Sequence, residues 1–113
     1  MAARNALSDA PPYAVETALR RLGQDLRTAR LRRNLTLDDA AAKIGAGRRA
    51  VADAERGKPT TAVATYAALL WAYGLLEGFG DLADPSGDVE GMTLARSRER
   101  VRARAPEALD NDF

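Results

Sequence analysis

The segment from Leu35 to Gly57 constrains the fold of this chain more than any other. Its apolar residues recur at intervals of three and four, the spacing of an α-helix with one buried face. They form two groups: Leu37, Ala40, Ala41 and Ile44, then Ala50, Val51 and Ala54. Gly45 and Gly47 separate the groups, and a glycine just past a helix can adopt the left-handed conformation that ends it. The pattern predicts two short helices joined by a tight turn.

The residues at the ends of both predicted helices suit those positions. Thr36 can cap the first helix, and Asp39 supplies a carboxylate where the helix dipole favours negative charge. The second helix begins at Arg48, and Gly57 followed by Pro59 ends it, because proline cannot continue a helix. Two short helices with a glycine turn are typical of the helix-turn-helix, whose second helix enters the DNA major groove.

The flanking sequence predicts three further helices. One covers residues 14–33, with an arginine-rich face opposite its apolar face. A second begins at a cap, Thr60 or Thr61, and continues to Tyr73. A short last helix covers residues 75–83, although its glycines weaken it.

Beyond these helices the periodicity stops. Residues 84–87, Asp-Pro-Ser-Gly, predict a turn, and residues 91–95 fit either a short strand or the start of a helix. We expect an all-α domain over residues 14–83 and a flexible or partner-binding, arginine-rich tail over residues 84–113. Residues 1–12 are expected to form a frayed arm or a lead-in to the first helix.

The central residues resemble those of the Cro/repressor-like (XRE) family. The matching residues are Leu35-Thr36, Ala40-Ala41, Ile44-Gly45, Val51 and Glu55-Arg56-Gly57. The resemblance spans residues 22–75 and implies a five-helix, lambda-repressor-like helix-turn-helix domain with a C-terminal extension. The chain departs from the family pattern at Leu37, where relatives carry a glutamine, and at Gly47, where they carry a polar turn residue.

The resemblance implies which residues read DNA bases. Arg48 and Arg49 start the second short helix, where relatives place base-reading side chains, and arginine can donate two hydrogen bonds to guanine. Asp53, one turn further on, either accepts a hydrogen bond from cytosine or pairs with Arg49 across four residues. Ala52 can offer a methyl group to thymine.

Phosphate contacts are expected at both ends of this pair of helices. Thr36 lies at a helix start, where free backbone amides attract anions. The candidates for phosphate binding are Thr36, Arg33, Arg56 and Lys58. The resemblance also implies that Arg30 and Glu55 form a structural ion pair, partly buried, which links the long helix to the end of the second short one.

Charge is unevenly distributed along the chain. The 113 residues carry a formal net charge of only +1. However, residues 20–33 hold six arginines against one aspartate, and residues 96–104 hold five against one glutamate. These segments can face phosphate, and the alternative is that they are ordinary solvated helix faces.

Composition argues against an enzyme. The chain has no cysteine and no histidine, and it shows neither a phosphate-binding glycine loop nor a cluster of metal ligands. We therefore expect no catalytic residues, no metal and no cofactor. No segment resembles a signal peptide or a membrane span, so we expect a soluble, cytoplasmic protein.

These observations predict a homodimeric repressor that binds a double-stranded DNA operator. The dimer interface is expected around residues 75–83, and Trp71 is either a core residue or a dimer or partner anchor. A weaker resemblance to HipB antitoxins implies a HipA-like kinase toxin as a partner. It rests on Gly74-Leu75-Leu76, Asp84-Pro85, Gly91-Met92-Thr93-Leu94 and Arg100-Val101-Arg102.

A different class of function is also open. The helix-turn-helix can serve as a scaffold for protein binding without specific DNA contact. Leu37 and the near-neutral net charge favour this alternative, whereas Arg48 and Arg49 oppose it.

Overall fold

The computed structural model describes residues 6–104, and within that range the chain is all-helical, as predicted. The helices are α1 (Ala6–Asp9), α2 (Tyr13–Arg32), α3 (Leu37–Ile44), α4 (Arg48–Glu55), α5 (Val63–Ala72) and α6 (Val89–Arg104). Of the arm expected over residues 1–12, residues 6–9 form α1, whereas residues 1–5 lie outside the described residues, as do residues 105–113 of the expected tail. None of the helices in the described range has the length and apolar character of a membrane-spanning segment.

The chain divides into two compact units, residues 1–77 and 78–113. In the first, α2 to α5 enclose a small core. Its buried apolar side chains are Leu26, Ala29, Ala40, Ala41, Val51, Ala54, Tyr66, Leu69 and Tyr73. Four of these nine are alanines, and such short side chains allow neighbouring helices to approach closely.

α2 approaches α4 closely at Gly23. A Cβ atom added there would lie 2.6 Å from the carbonyl oxygens of both Ala54 and Glu55. Only a residue without a side chain fits at that distance, so Gly23 lets α2 lie directly against the C-terminal end of α4.

The predicted pair of short helices is present with the predicted ends. The Thr36 hydroxyl accepts a hydrogen bond from the Asp39 amide at 3.0 Å, and the Asp39 carboxylate accepts one from the Thr36 amide at 2.9 Å. This reciprocal arrangement is a capping box, which satisfies two free amides at the start of α3. Gly45 ends α3 in the left-handed conformation, at φ 68°, and α4 begins at Arg48.

Two predictions in the following segment are wrong. Neither Thr60 nor Thr61 caps α5, because the Thr61 amide donates to the Lys58 carbonyl in a turn and α5 begins only at Val63, after Ala62. The cap therefore lacks a side-chain hydrogen bond.

The predicted helix over residues 75–83 is also wrong. Gly74 and Gly78 both have left-handed backbones, at φ 73° and 88°, and left-handed residues interrupt a right-handed helix. Only a 3-10 turn remains, at Phe79–Asp81. In its described residues the first unit still contains five helices. The fifth is α1, which precedes α2, and not a helix over residues 75–83.

The second unit is described from Gly78 to Arg104 and has no buried residue in that range. The predicted turn is present, because the Asp84 carboxylate accepts hydrogen bonds from the amide and the hydroxyl of Ser86, both at 2.9 Å. Of the two conformations open for residues 91–95, the structure has the helix: α6 is capped by Asp88, which accepts from the Gly91 amide at 2.9 Å. The arginine-rich run belongs to this helix.

Candidate nucleic-acid interface

Arg48 and Arg49 form the first turn of α4, and both are exposed. The residue before them, Gly47, has no side chain with which to cap the helix, and the first turn holds no acidic residue. Among the described residues, neither arginine forms an ion pair or a side-chain hydrogen bond. The start of α4 therefore presents two guanidinium groups together with backbone amides that no side chain satisfies.

This arrangement is electrostatically unfavourable within the chain itself. The amides of a helix start carry partial positive charge, and each cation placed beside them opposes the helix dipole by roughly 0.3 to 1 kcal/mol. An anion at this end would be attracted by both the arginines and the amides. The start of α4 is thus suited to an external anion.

The opposite end of α4 is anchored by the Arg30–Glu55 pair that the sequence predicted. The Arg30 Nε and Nη2 atoms donate to the two Glu55 carboxylate oxygens at 2.6 and 3.0 Å. The two side chains are only 9% and 7% exposed. The hydrogen bond with Glu55 is the main reason why the pKa of Arg30 is raised.

Arg30 also reaches the chain before α3. Its Nη1 atom donates to the Leu35 carbonyl at 2.8 Å. One guanidinium therefore joins α2, the segment that leads into α3, and the last turn of α4.

Asp53 faces the anchored end of α4 as well. Its carboxylate lies 3.7 Å from Arg56 and 3.8 Å from Lys58, and the Asp53 side chain is 17% exposed. In the described part of the chain it makes no ion pair with Arg49, so that alternative is wrong. The cause is the turn after α4, in which the Lys58 amide donates to the Asp53 carbonyl and brings the lysine back. Base reading by Asp53 stays a prediction, as it does for half-buried Ala52.

A shallow cleft of about 380 Å³ lies beside this part of α4. Arg49, Arg56 and Lys58 line it, and Arg20 of α2 joins them. Arg20 was not among the predicted site residues, although the basic run over residues 20–33 contains it. Asp53 and Glu16 line the cleft too, and Glu16 pairs with Arg20 at 2.6 Å, so its charge is mixed.

Arg33 is engaged elsewhere in the first unit. Its Nη1 atom donates to the Ala29 carbonyl at 2.9 Å and its Nη2 atom to the Tyr73 carbonyl at 2.8 Å. Its guanidinium carbon also lies 5.4 Å from the centre of the Tyr73 ring. Arg33 therefore ties the end of α2 to the end of α5, and a phosphate would compete with these contacts.

The start of α3, where Thr36 was expected to hold a phosphate, carries its own anions. Asp38 and Asp39 both lie in the first turn. The pKa of Asp39 is lowered, first by the hydrogen bond from the Thr36 amide and second by the one with its hydroxyl. Because these two carboxylates occupy this helix start, it is less suited to phosphate than the start of α4.

Comparisons with other proteins add nothing to these observations: no family model, no curated protein and no solved structure matches the chain.

Proposed function

We propose that this protein is a cytoplasmic, sequence-specific DNA-binding regulator of the helix-turn-helix class, in which α4 is the recognition helix. The observation that carries the proposal is the pair of exposed arginines on the open start of α4, which have no ion-pair partner among residues 6–104. Each can donate two hydrogen bonds to O6 and N7 of a guanine. Against the described residues these charges oppose the helix dipole and gain no ion pair, which favours an external contact for them.

The dimensions of α4 suit this role. The major groove is about 12 Å wide, and an α-helix with its side chains is about 10–12 Å across. With α4 in the groove, Arg48 and Arg49 meet base edges. Arg56 and Lys58, exposed just beyond the helix, then contact phosphates that set its position.

A homodimer would place two such helices in successive major grooves, about 34 Å apart, on a near-palindromic operator. Repression then requires only occupancy of the promoter. The narrower form of the proposal is an antitoxin that represses its own operon and neutralises a HipA-like kinase. It rests on the resemblance of the tail, and a kinase-like gene beside this one would support it.

The test compares the wild type with a variant in which Arg48 and Arg49 are both alanine, on DNA from upstream of its own gene and on a scrambled duplex, across a salt series. We expect the wild type to prefer the upstream fragment. Each lost guanine contact is worth about 1–3 kcal/mol of discrimination, so the variant should lose at least about tenfold in that preference.

A matched control replaces Arg21 and Arg32 with alanine. Both are exposed residues of α2, on the side opposite Gly23, and their loss removes the same charge. This control should keep the preference. If the wild type itself binds both DNAs equally, the specific-binding proposal fails and the helix pair is better regarded as a scaffold for a protein partner.

A further inference from the structure

The arginines of α6 lie on two opposite flanks of the helix. Arg96, Arg100 and Arg104 recur every four residues and therefore share one side. A step of two residues turns about 200° around a helix axis, so Arg98 and Arg102 lie on the opposite side. Successive arginines on a flank are about 6 Å apart along the axis.

These charges have no partner in the part of the chain that the structure describes. None of the five arginines forms an ion pair there, and α6 has no buried residue. Arginines four apart on one helix repel each other by about 0.2–0.5 kcal/mol a pair. A helix without a buried face usually relies on many ion pairs along its surface, and the arginines of α6 make none among the described residues.

The two faces between the flanks differ. One carries Leu94, Ser97 and Val101, whereas the other carries the acidic Glu99 with Met92 and Ala103. Leu94 and Val101 are 55% and 70% exposed. The uncharged face is thus the one that can approach a polyanion, and Glu99 then points away from it. Glu90 shares the uncharged face but lies in the first turn, before the arginines.

We propose that α6 is a second DNA-binding element, which lies in a groove of double-stranded DNA with one arginine flank against each phosphate wall. A major groove about 12 Å wide accepts a helix of about 10–12 Å, so both flanks meet phosphates at once. An acidic protein surface presents no such pair of walls, and would leave one flank unpaired. The contact is with phosphates and is independent of base sequence.

This inference rests on the proposed function in that it names the same partner, but it uses different residues. The experiment therefore measures two quantities for each variant of the full chain: the preference for the upstream fragment over a scrambled duplex, and the salt dependence of binding to the scrambled duplex. The variants are R96A/R100A/R104A for one flank, R98A/R102A for the other, R48A/R49A for α4, and R21A/R32A as a control that matches the two-arginine variants in charge.

Each phosphate contact contributes about 0.9 to the slope of log affinity against log salt. Both flank variants should lose slope, by about 0.9 for each arginine removed, and should keep the sequence preference. R48A/R49A should lose the preference and leave the contribution of the flanks intact. A variant with lysine at all five α6 positions should keep most of the slope, because lysine binds phosphate as a point charge.

Folding does not confound the comparison, because alanine has the highest helix propensity and α6 has no core to disturb. Circular dichroism should show unchanged helix content. An unchanged slope in both flank variants would overturn the inference whatever happens to the preference. Loss in only one flank variant would overturn the placement between two walls. If the flank variants lose binding to polyglutamate but not to DNA, the partner is an acidic protein and the inference is wrong.

Discussion

The two ends of α4 are built in opposite ways. At its C-terminal end Glu55 is held by Arg30, Gly23 lies against the backbone of the last turn, and Asp53 pairs with Lys58. At its N-terminal end there is no side-chain cap, and the arginines are exposed. α3, which is the same length, has its own cap and carboxylates at its start. Of these two short helices, only α4 begins with neither a side-chain cap nor a carboxylate in its first turn.

This difference indicates how the helix can serve recognition. Interactions that fix its position are concentrated where no ligand is needed. The groups left unsatisfied are those that an anion can satisfy. A rigid helix with a prepared end loses less conformational entropy on binding than a mobile one.

Breaking the anchored end should have the largest effect. Glu55→Ala leaves the Arg30 charge buried without a partner, and we expect the free energy of unfolding to fall by about 3–5 kcal/mol in urea denaturation. The control is Glu16→Ala, which breaks the pair with Arg20. That pair is exposed, with side chains 38% and 68% accessible, so its loss should cost less than about 1 kcal/mol. Equal losses would contradict an anchored end.

Alanine substitutions at Gly23 and at Gly47 should have the next largest effects on stability, and the effects should differ between the two ends of α4. Gly23→Ala forces α2 away from α4, and overpacking of this kind costs about 1–3 kcal/mol. At Gly47 an added Cβ meets nothing within 4 Å. Alanine caps a helix less well than glycine, but it also makes the unfolded chain less flexible. Because these two effects oppose each other, Gly47→Ala should change stability by less than about 1 kcal/mol. Thermal unfolding of both variants provides the measurement, and a larger loss at Gly47 would refute the contrast.

The capped start of α3 gives a smaller effect. Thr36→Ala removes the hydroxyl from the cap and should cost about 1 kcal/mol at neutral pH. It should also raise the pKa of Asp39 back towards its ordinary value, which an NMR titration of that carboxyl would follow. The pKa of Asp39 is lower in the folded protein than in the unfolded chain, where it is about 4. The stability that Asp39 contributes is therefore present above the unfolded pKa and is lost as the pH falls through the folded pKa. In the variant the two pKa values lie closer together, so the loss should be smaller and should be complete at a higher pH.

The smallest effect on stability is expected from capping the open end. Gly47 already has an extended backbone, φ −82° and ψ 157°, so an aspartate there can accept from the free amides. Gly47→Asp should stabilise the protein by less than about 1 kcal/mol, yet weaken DNA binding, because its carboxylate places a negative charge beside Arg48 and Arg49 and repels the DNA. Gly47→Ser caps without charge and serves as the comparison. DNA binding that is stronger in Gly47→Asp than in Gly47→Ser would contradict an anion-binding end.

The parts predicted correctly depend on local pattern. The ends of α3 follow from Thr36 and Gly45, because caps act within one turn of chain. The helix over residues 75–83 was wrong because its apolar spacing outweighed Gly74 and Gly78, whose left-handed backbones decide the local path.

The missed contacts depend on tertiary placement. Gly23 is an ordinary helical glycine in the sequence, and its role appears only where α4 crosses it. Spacing offered Arg49 as one possible partner of Asp53, whereas the structure pairs Asp53 with Arg56 and with Lys58, which the turn after α4 brings back. Pairing along one helix cannot anticipate a residue that arrives from a turn.

Arg30 affects the angle between helices as well as the stability of the fold. A core rich in alanine is smooth, and smooth helices can slide or rotate against each other with little change in packing. The guanidinium is planar and rigid, and three of its donors point to Glu55 and Leu35 in one plane. These hydrogen bonds thereby fix the orientation of α3 relative to α4. A lysine could keep the charge at this position, but not the angle.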